Sequence, residues 1–405
     1  MPTEPLEAID PDALVRDAAA ALRVPSVTGD ERAVLGHLAG LAGRLGLAAE
    51  RYEHDLPALR RHPGHPGEEA ARDELLGLDV TLPGTAPGRL CVNGHVDVVG
   101  PGTVPWRHGP WSGAIADGRL HGRGAVDMKG AVVAALHALA AIRAAGAPAP
   151  SVTVQCVASE EDGGLGTFAA LERDAAFDAC VIPEPTGFDV VCAQAGSLTF
   201  RGVVPGRAAH AARRLAGVSA IDRYLPVHLA LQAHERAVNA AVAHPLMRAL
   251  ELPYPLVVGR VAAGAWSSSV PDRLEFEGRL GVPVGAGPDD ARAELEGVVR
   301  AAGGGDVEIT WTGGAFAPAE IDPAHPWPAL VRAATEAERG APARTTGVPW
   351  GADMRLFAAR GIPVTMVGPR GIDLAHAVDE SVAVADLVAT ARVLVRVIVA
   401  FAAAG

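Results

Sequence analysis

A chain of 405 residues, 49% of them hydrophobic, can bury a large core, and its length points to two or more domains. A net charge of −12 without a basic stripe argues against nucleic acid and anionic membrane surfaces as partners. Residues 1–10 carry Glu4, Glu7 and Asp10 where a signal peptide would have a basic start and an apolar stretch, so a cytoplasmic location is expected.

In chain order, residues 11–45 read as helical and 48–52 as a short strand. Residues 56–88 are rich in proline and charge with little periodicity, and read as a long surface excursion. From Leu90 onward short apolar strands alternate with helical stretches: 90–92, 131–145, 151–157, 166–173 and 179–182. This alternation predicts an α/β domain with a mixed, mainly parallel sheet flanked by helices. In such sheets ligands bind beyond the carboxyl ends of the strands.

The pattern changes after Ala195. Residues 197–204 alternate like an edge strand; a helix follows within 218–242, then strands at 256–261 and 273–284, a helix over 288–302 and a strand at 307–311. The order β-α-β-β-α-β predicts an inserted ferredoxin-like α+β domain. The expected division is a core domain of residues 1–195 and 313–405, interrupted by 196–312. The C-terminal run 382–404 is broken by Asp386, Arg392 and Arg396, and 131–145 by Arg143, so both read as buried or amphipathic helices, not membrane spans. Cys91, Cys156, Cys180 and Cys192 sit in apolar segments without a C-x-x-C pair and read as buried thiols.

Five segments carry candidate chemistry. His95 and Asp97, in Asn93-Gly-His-Val-Asp97, end a strand, where a carboxylate can orient a metal-bound imidazole; the plainer alternative is a surface histidine beside a turn. Asp127 lies in the glycine-rich run 120–130 directly before a helix, as a ligand or an ordinary N-cap. That run is a poor phosphate loop, because no Gly-Lys-Ser/Thr follows. Glu160 and Glu161 begin a run of three acids after the strand at 151–157, which costs repulsion unless cations compensate; an acidic first helical turn is the alternative. Glu184, between two prolines, follows the strand at 179–182, and could equally mark a simple turn. His376 lies in a loop before the last helix, where a solvated imidazole is the ordinary case. Together these supply the nitrogen and oxygen donors expected of zinc, cobalt or manganese in a hydrolytic site. Gly-x-Ser-x-Gly and His-Glu-x-x-His are both absent.

This ordered motif set resembles the metallopeptidase and deacylase family of acetylornithine deacetylase, succinyl-diaminopimelate desuccinylase, aminoacylase and carboxypeptidase G. Trp266-Ser-Ser-Ser-Val-Pro-Asp-Arg273 and Gly351-Ala-Asp-Met-Arg-Leu-Phe357 look most similar to acetylornithine deacetylase or formyl-aminopyrimidine deformylase members. The resemblance implies a zinc-peptidase-like catalytic domain with a lid and dimerisation insert, hence a homodimer. It implies two divalent ions, zinc first with cobalt or manganese as alternatives. Asp127 would bridge them, His95 and Glu184 completing one site, Glu161 and His376 the other. It further implies that Asp97 orients His95, that Glu160 is the general base, and that His210 reaches the partner subunit's active site. Arg355, Arg279 or Arg273 would hold a substrate carboxylate. The run Ala211-Ala-Arg-Arg-Leu departs from the family's usual Ser and Pro after that histidine.

The expected activity is removal of an acyl group from a small carboxylated N-acyl amino acid or similar amide by a metal-bridging water. The ligands Asp127, Glu161 and Glu184 would bring three negative charges against four positive, and the small positive remainder favours an ionised water. Alternatives are a formyl-aminopyrimidine deformylase, a dipeptidase or metallocarboxypeptidase with the same site, and a non-catalytic metal- or ligand-binding homologue. Glu160 beside Glu161 argues against the last, since a structural site has no use for an unliganded base.

Overall fold

The first apolar stretch folds as two helices. Pro11–Leu22 starts on Asp10, whose carboxylate accepts the Ala13 N–H at 3.0 Å, with proline at the first helical position. The expected helical run over 11–45 breaks here, and the second helix is Arg32–Arg44. Pro25 lacks an N–H and disfavours helical geometry at Val24, so the chain leaves the helix. The released segment pairs with the chain beyond His95: Val98 N donates to Ser26 O at 2.9 Å and Thr28 N to Val98 O at 3.1 Å.

A computed structural model describes residues 4–404. The chain forms two compact units. The first runs to Cys192 and takes up Ile321–Thr346 and the chain from Leu356; the second comprises Ala193–Glu320 and Gly347–Arg355.

In the first unit a mixed sheet runs in the order Ala48–Glu53, Leu76–Leu82, Ser151–Val157, Arg89–His95, Ala179–Ile182, Val364–Met366 and Val190–Gln194. The four central strands, Ser151–Val157 to Val364–Met366 in that order, are mutually parallel, and the flanking pairings are antiparallel. Parallel strands need helical crossovers, and Lys129–Ala145 is the one between Arg89–His95 and Ser151–Val157. That helix is buried along nearly its whole length and ends on Gly146 in the left-handed conformation. Each fully buried Val, Leu or Ile stabilises by roughly 1.5–3 kcal/mol. Lys129 is enclosed too; its ammonium donates to Val24 O at 2.9 Å, past the end of Pro11–Leu22, where cations are favoured. The four cysteines are free and buried.

Two further expectations are corrected. The stretch 56–88 is no simple surface excursion: it holds a helix, Leu56–Arg61, and the sheet strand Leu76–Leu82. The residues between, though charged and irregular, bring Arg72 into the interior. The strand Gly196–Pro205 is not an edge strand, since it pairs on both sides within the second unit's sheet. Its alternation reflects one buried and one open face, which interior strands of antiparallel sheets also have.

That second sheet runs Leu256–Ala263, Arg273–Val282, Gly196–Pro205, Glu308–Phe316, all antiparallel. With Ala220–Ala240 and Pro288–Gly303 between the strands, this is the ferredoxin-like connection. Phe200, Phe276, Val227, Leu231 and Leu295 form its core. Among the described residues, no helix is long and apolar enough to cross a membrane.

Candidate active site

The carboxyl ends of four adjacent parallel strands hold most of the predicted residues. His95 ends Arg89–His95; Glu160 and Glu161 follow Ser151–Val157; Glu184 follows Ala179–Ile182; His376 lies in the loop after Val364–Met366. Asp127 comes from the loop before Lys129–Ala145. That helix is capped at Met128 with no side-chain bond, so Asp127 does not serve as the N-cap. Glu160 and Glu161 sit in a turn ahead of Leu165–Arg173, outside that helix's first turn.

Donor atoms of His95, Asp127 and Glu184 lie within 4.8 Å of one another, and so do those of Asp127, Glu161 and His376. One Asp127 oxygen faces His95 Nε2 at 3.0 Å and the other faces His376 Nε2 at 3.4 Å. His376 Nε2 also meets Glu161 at 3.0 Å, and His95 Nε2 lies 3.9 Å from Glu184. His376 is 53% exposed on a residue with φ of 61°, while His95 is buried.

The electrostatics follow from this crowding. Burial lowers the His95 imidazole, but Asp127, Glu184 and Glu160 outweigh it and hold it well above its ordinary value. Asp127 and Glu161 raise His376 to about 10. Burial raises Glu161, with Asp127 adding to it and His376 opposing. For Asp127 burial also works upward, but the two imidazoles prevail and hold it below the usual carboxylate range. Glu161 Oε1 is buried without a hydrogen-bond partner. An orphaned carboxylate oxygen among acids and two imidazoles fits a site built for cations, because buried polar atoms otherwise find partners.

Asp97 does more than touch His95. The His95 Nδ1 contact is with the Asp97 carbonyl at 2.9 Å, whereas the carboxylate lies at 3.7 Å. That carboxylate accepts the N–H groups of Glu160 at 3.1 Å and Glu161 at 3.2 Å, and the Thr28 hydroxyl at 3.1 Å. It therefore holds the acidic turn in place. Asp162 anchors the same turn from the other side: it accepts the Ser159 hydroxyl, the Ala70 N–H at 2.8 Å and the enclosed Arg72 guanidinium at 3.3 Å. Sequence reasoning missed Arg72 and read Asp162 only as the third acid of a run, because their pairing joins a proline-rich stretch to a strand end.

Gly166 completes the support. A Cβ there would lie 2.0 Å from Ala158 O, so Gly166→Ala must push the helix away from the strand end. Overpacking of this kind is expected to cost about 1–3 kcal/mol or more, checked by denaturant unfolding; an unchanged midpoint would refute the contact.

The other predicted residues all belong to the second unit. His210 is exposed, and its Nδ1 accepts the Ala212 N–H at 3.1 Å, which leaves the neutral ring's proton on Nε2. Arg273 is exposed and donates to Glu275 at 2.8 Å. Arg279 is half-buried, donates to the Ser197 hydroxyl at 2.5 Å, and burial pushes it below its usual value. Arg355 is buried, donates to Ala352 O at 2.8 Å and stacks 4.0 Å from the Phe316 ring centre.

Residues 91–400 match the family described as peptidase family M20/M25/M40. A succinyl-diaminopimelate desuccinylase of Methylobacterium radiotolerans is 32% identical over 411 residues, covering 96% of this chain and 97% of that protein. An M20 family metallo-carboxypeptidase of Sulfolobus solfataricus superposes with a TM-score of 0.77 at 15% identity, over 96% of this chain and 99% of that one. A Bacillus subtilis protein described as a dinuclear metal binding peptidase of the M20 family gives 0.62 at 16% identity, over 96% and 97% of the two chains.

Proposed function

Because the chain belongs to peptidase family M20/M25/M40 and is a hydrolase of amide bonds, we propose that it is a dimetal-dependent deacylase of small carboxylated N-acyl amino acids. The observation that carries this reading is the division of five donors into two triads sharing Asp127. His95, Asp127 and Glu184 would hold one divalent ion, zinc in the first instance, and Asp127, Glu161 and His376 the second. Such a pair polarises a carbonyl and lowers the pKa of a water to about 7.

The chain's own groups do the rest. Glu160, held through its backbone by Asp97, takes a proton from the attacking water as the oxygen–carbon bond forms. It returns that proton to the nitrogen as the carbon–nitrogen bond breaks, and the hydroxyl proton left on the new acid passes to the amine, leaving an ammonium and a carboxylate. His210 carries its proton on Nε2, the state needed to donate to a developing oxyanion.

A substrate carboxylate needs a cation that is not already neutralised. Arg279 has a hydroxyl as its acceptor, whereas Arg273 is occupied by Glu275. Arg279→Met is therefore expected to raise KM about 10–100-fold with little change in kcat. Arg273→Met should leave both unchanged, and the opposite pattern would move the subsite to Arg273.

The second unit also supports a homodimer. Ile221, Leu225 and Leu229 are exposed at four-residue spacing on Ala220–Ala240, and Val257 and Val261 are exposed on the outer strand Leu256–Ala263. A second copy would cover them and bring His210 to its partner's centre. A monomer in sedimentation at micromolar concentration would refute this.

The activity itself is tested by free-amine release from N-succinyl-diaminopimelate, N-acetylornithine, formyl-aminopyrimidine and dipeptides. Chelation should abolish turnover and zinc or cobalt should restore it. Turnover of dipeptides alone would favour the peptidase reading, and full activity of the metal-free protein would end the dimetal one.

A further inference from the structure

Glu380 and Arg123 form a buried ion pair across 257 residues of sequence, at 2.7 Å. Glu380 is wholly enclosed, and both its oxygens are used on the loop that carries Asp127. Oε2 accepts Arg123 Nη1 and the Gly124 N–H at 3.1 Å; Oε1 accepts the N–H groups of Val126 at 2.9 Å and Asp127 at 3.3 Å. The Glu380 carbonyl accepts the Gly122 N–H at 3.0 Å, closing the loop from its other end. Arg123 reaches the opposite way: its Nη2 donates to the His376 carbonyl at 3.2 Å, and its guanidinium lies 5.1 Å from the Trp106 ring centre. One ion pair thus touches the backbone of both Asp127 and His376, whose side chains otherwise come from remote loops. His376 has most need of it, being half-exposed with a left-handed backbone.

We propose that Arg123 and Glu380 are positioning residues that fix His376 relative to Asp127, and so govern the cation position these two share with Glu161. Neither side chain is a ligand in this account; they act through the backbone of residues that are. The inference rests on the dimetal reading above. Lysine at position 123 keeps a charge beside Glu380, but a compact ammonium cannot serve Glu380 and the His376 carbonyl together as a guanidinium fork does.

The test is calorimetric titration of the metal-free full chain with zinc, wild type and Arg123→Lys side by side. Wild type should take up two equivalents. Arg123→Lys should keep the first at wild-type affinity and bind the second about 10–100-fold more weakly, the usual effect of losing support behind a ligand. Wild-type affinity at both equivalents in a folded variant would overturn the proposal. Equal weakening of both would also overturn it, because it would mark a general structural role. Should Arg123→Lys fail to fold, Arg123→Met combined with Glu380→Gln removes both charges and leaves no buried ion unpaired. Because Glu380→Gln also loosens the loop of the shared Asp127, both equivalents should then weaken, the second more than the first. Failure of both variants to fold would assign the pair to stability alone. A wild type that takes up no zinc would sink the dimetal reading itself, a result distinct from unaltered binding by the variants.

Discussion

Glu160→Gln is expected to lower kcat by about 10²–10⁴-fold while leaving metal content at the wild-type level. Glutamine matches glutamate in shape but cannot accept a proton from water at neutral pH. The Glu160 backbone stays tied to the Asp97 carboxylate at 3.1 Å, so the turn should survive the change. Paired measurement of steady-state rates and elemental composition separates the possibilities. A retained kcat would remove Glu160 from the chemistry, and lost metal would make it a ligand.

Asp127→Asn should take both metal and turnover to background. Asp127 faces both imidazoles, at 3.0 Å and 3.4 Å, and stands in both donor triads. An amide keeps the shape but removes the negative charge that two cations would share. Glu184→Gln is the informative contrast, because it touches only the triad containing His95. It should lose one equivalent and keep the other. Circular dichroism establishes that each variant is folded. Two retained equivalents in Asp127→Asn would show that this carboxylate is not shared.

The parts of the fold that were legible in sequence are short apolar stretches set between clear turn signals. Ala179–Ile182 is apolar and wholly buried, Ser151–Val157 is buried except at Ser151 and Thr153, and both are found where their apolar residues place them. Arg89–His95 extends beyond its apolar stretch because Asn93, Gly94 and His95 do not resemble a strand in composition. Leu76–Leu82 escaped notice for a related reason. Gly77 and Asp79 weaken its pattern, yet a Cβ at Gly77 would lie 2.5 Å from the Tyr52 ring, so glycine lets that ring lie across the strand.

His95, Glu160, Glu161 and Glu184 were visible because they sit at or just beyond strand ends, where open sheets bind ligands. Asp127 stood out through the glycine-rich run before a helix, and His376 only as a loop histidine. The groups behind them were not visible. Arg72 meets Asp162 across 90 residues and Arg123 meets Glu380 across 257, and no local spacing announces such pairs. Charged side chains are rarely buried unless paired, so Arg72 within a charged, proline-rich stretch reads as solvated until its partner is in view.

Anomalous diffraction from zinc-loaded crystals at the zinc absorption edge would most directly examine the shared carboxylate. Two peaks per chain, one on either side of the Asp127 carboxylate, with His95 and Glu184 against one and Glu161 and His376 against the other, are predicted. A single peak, or peaks away from Asp127, would contradict it.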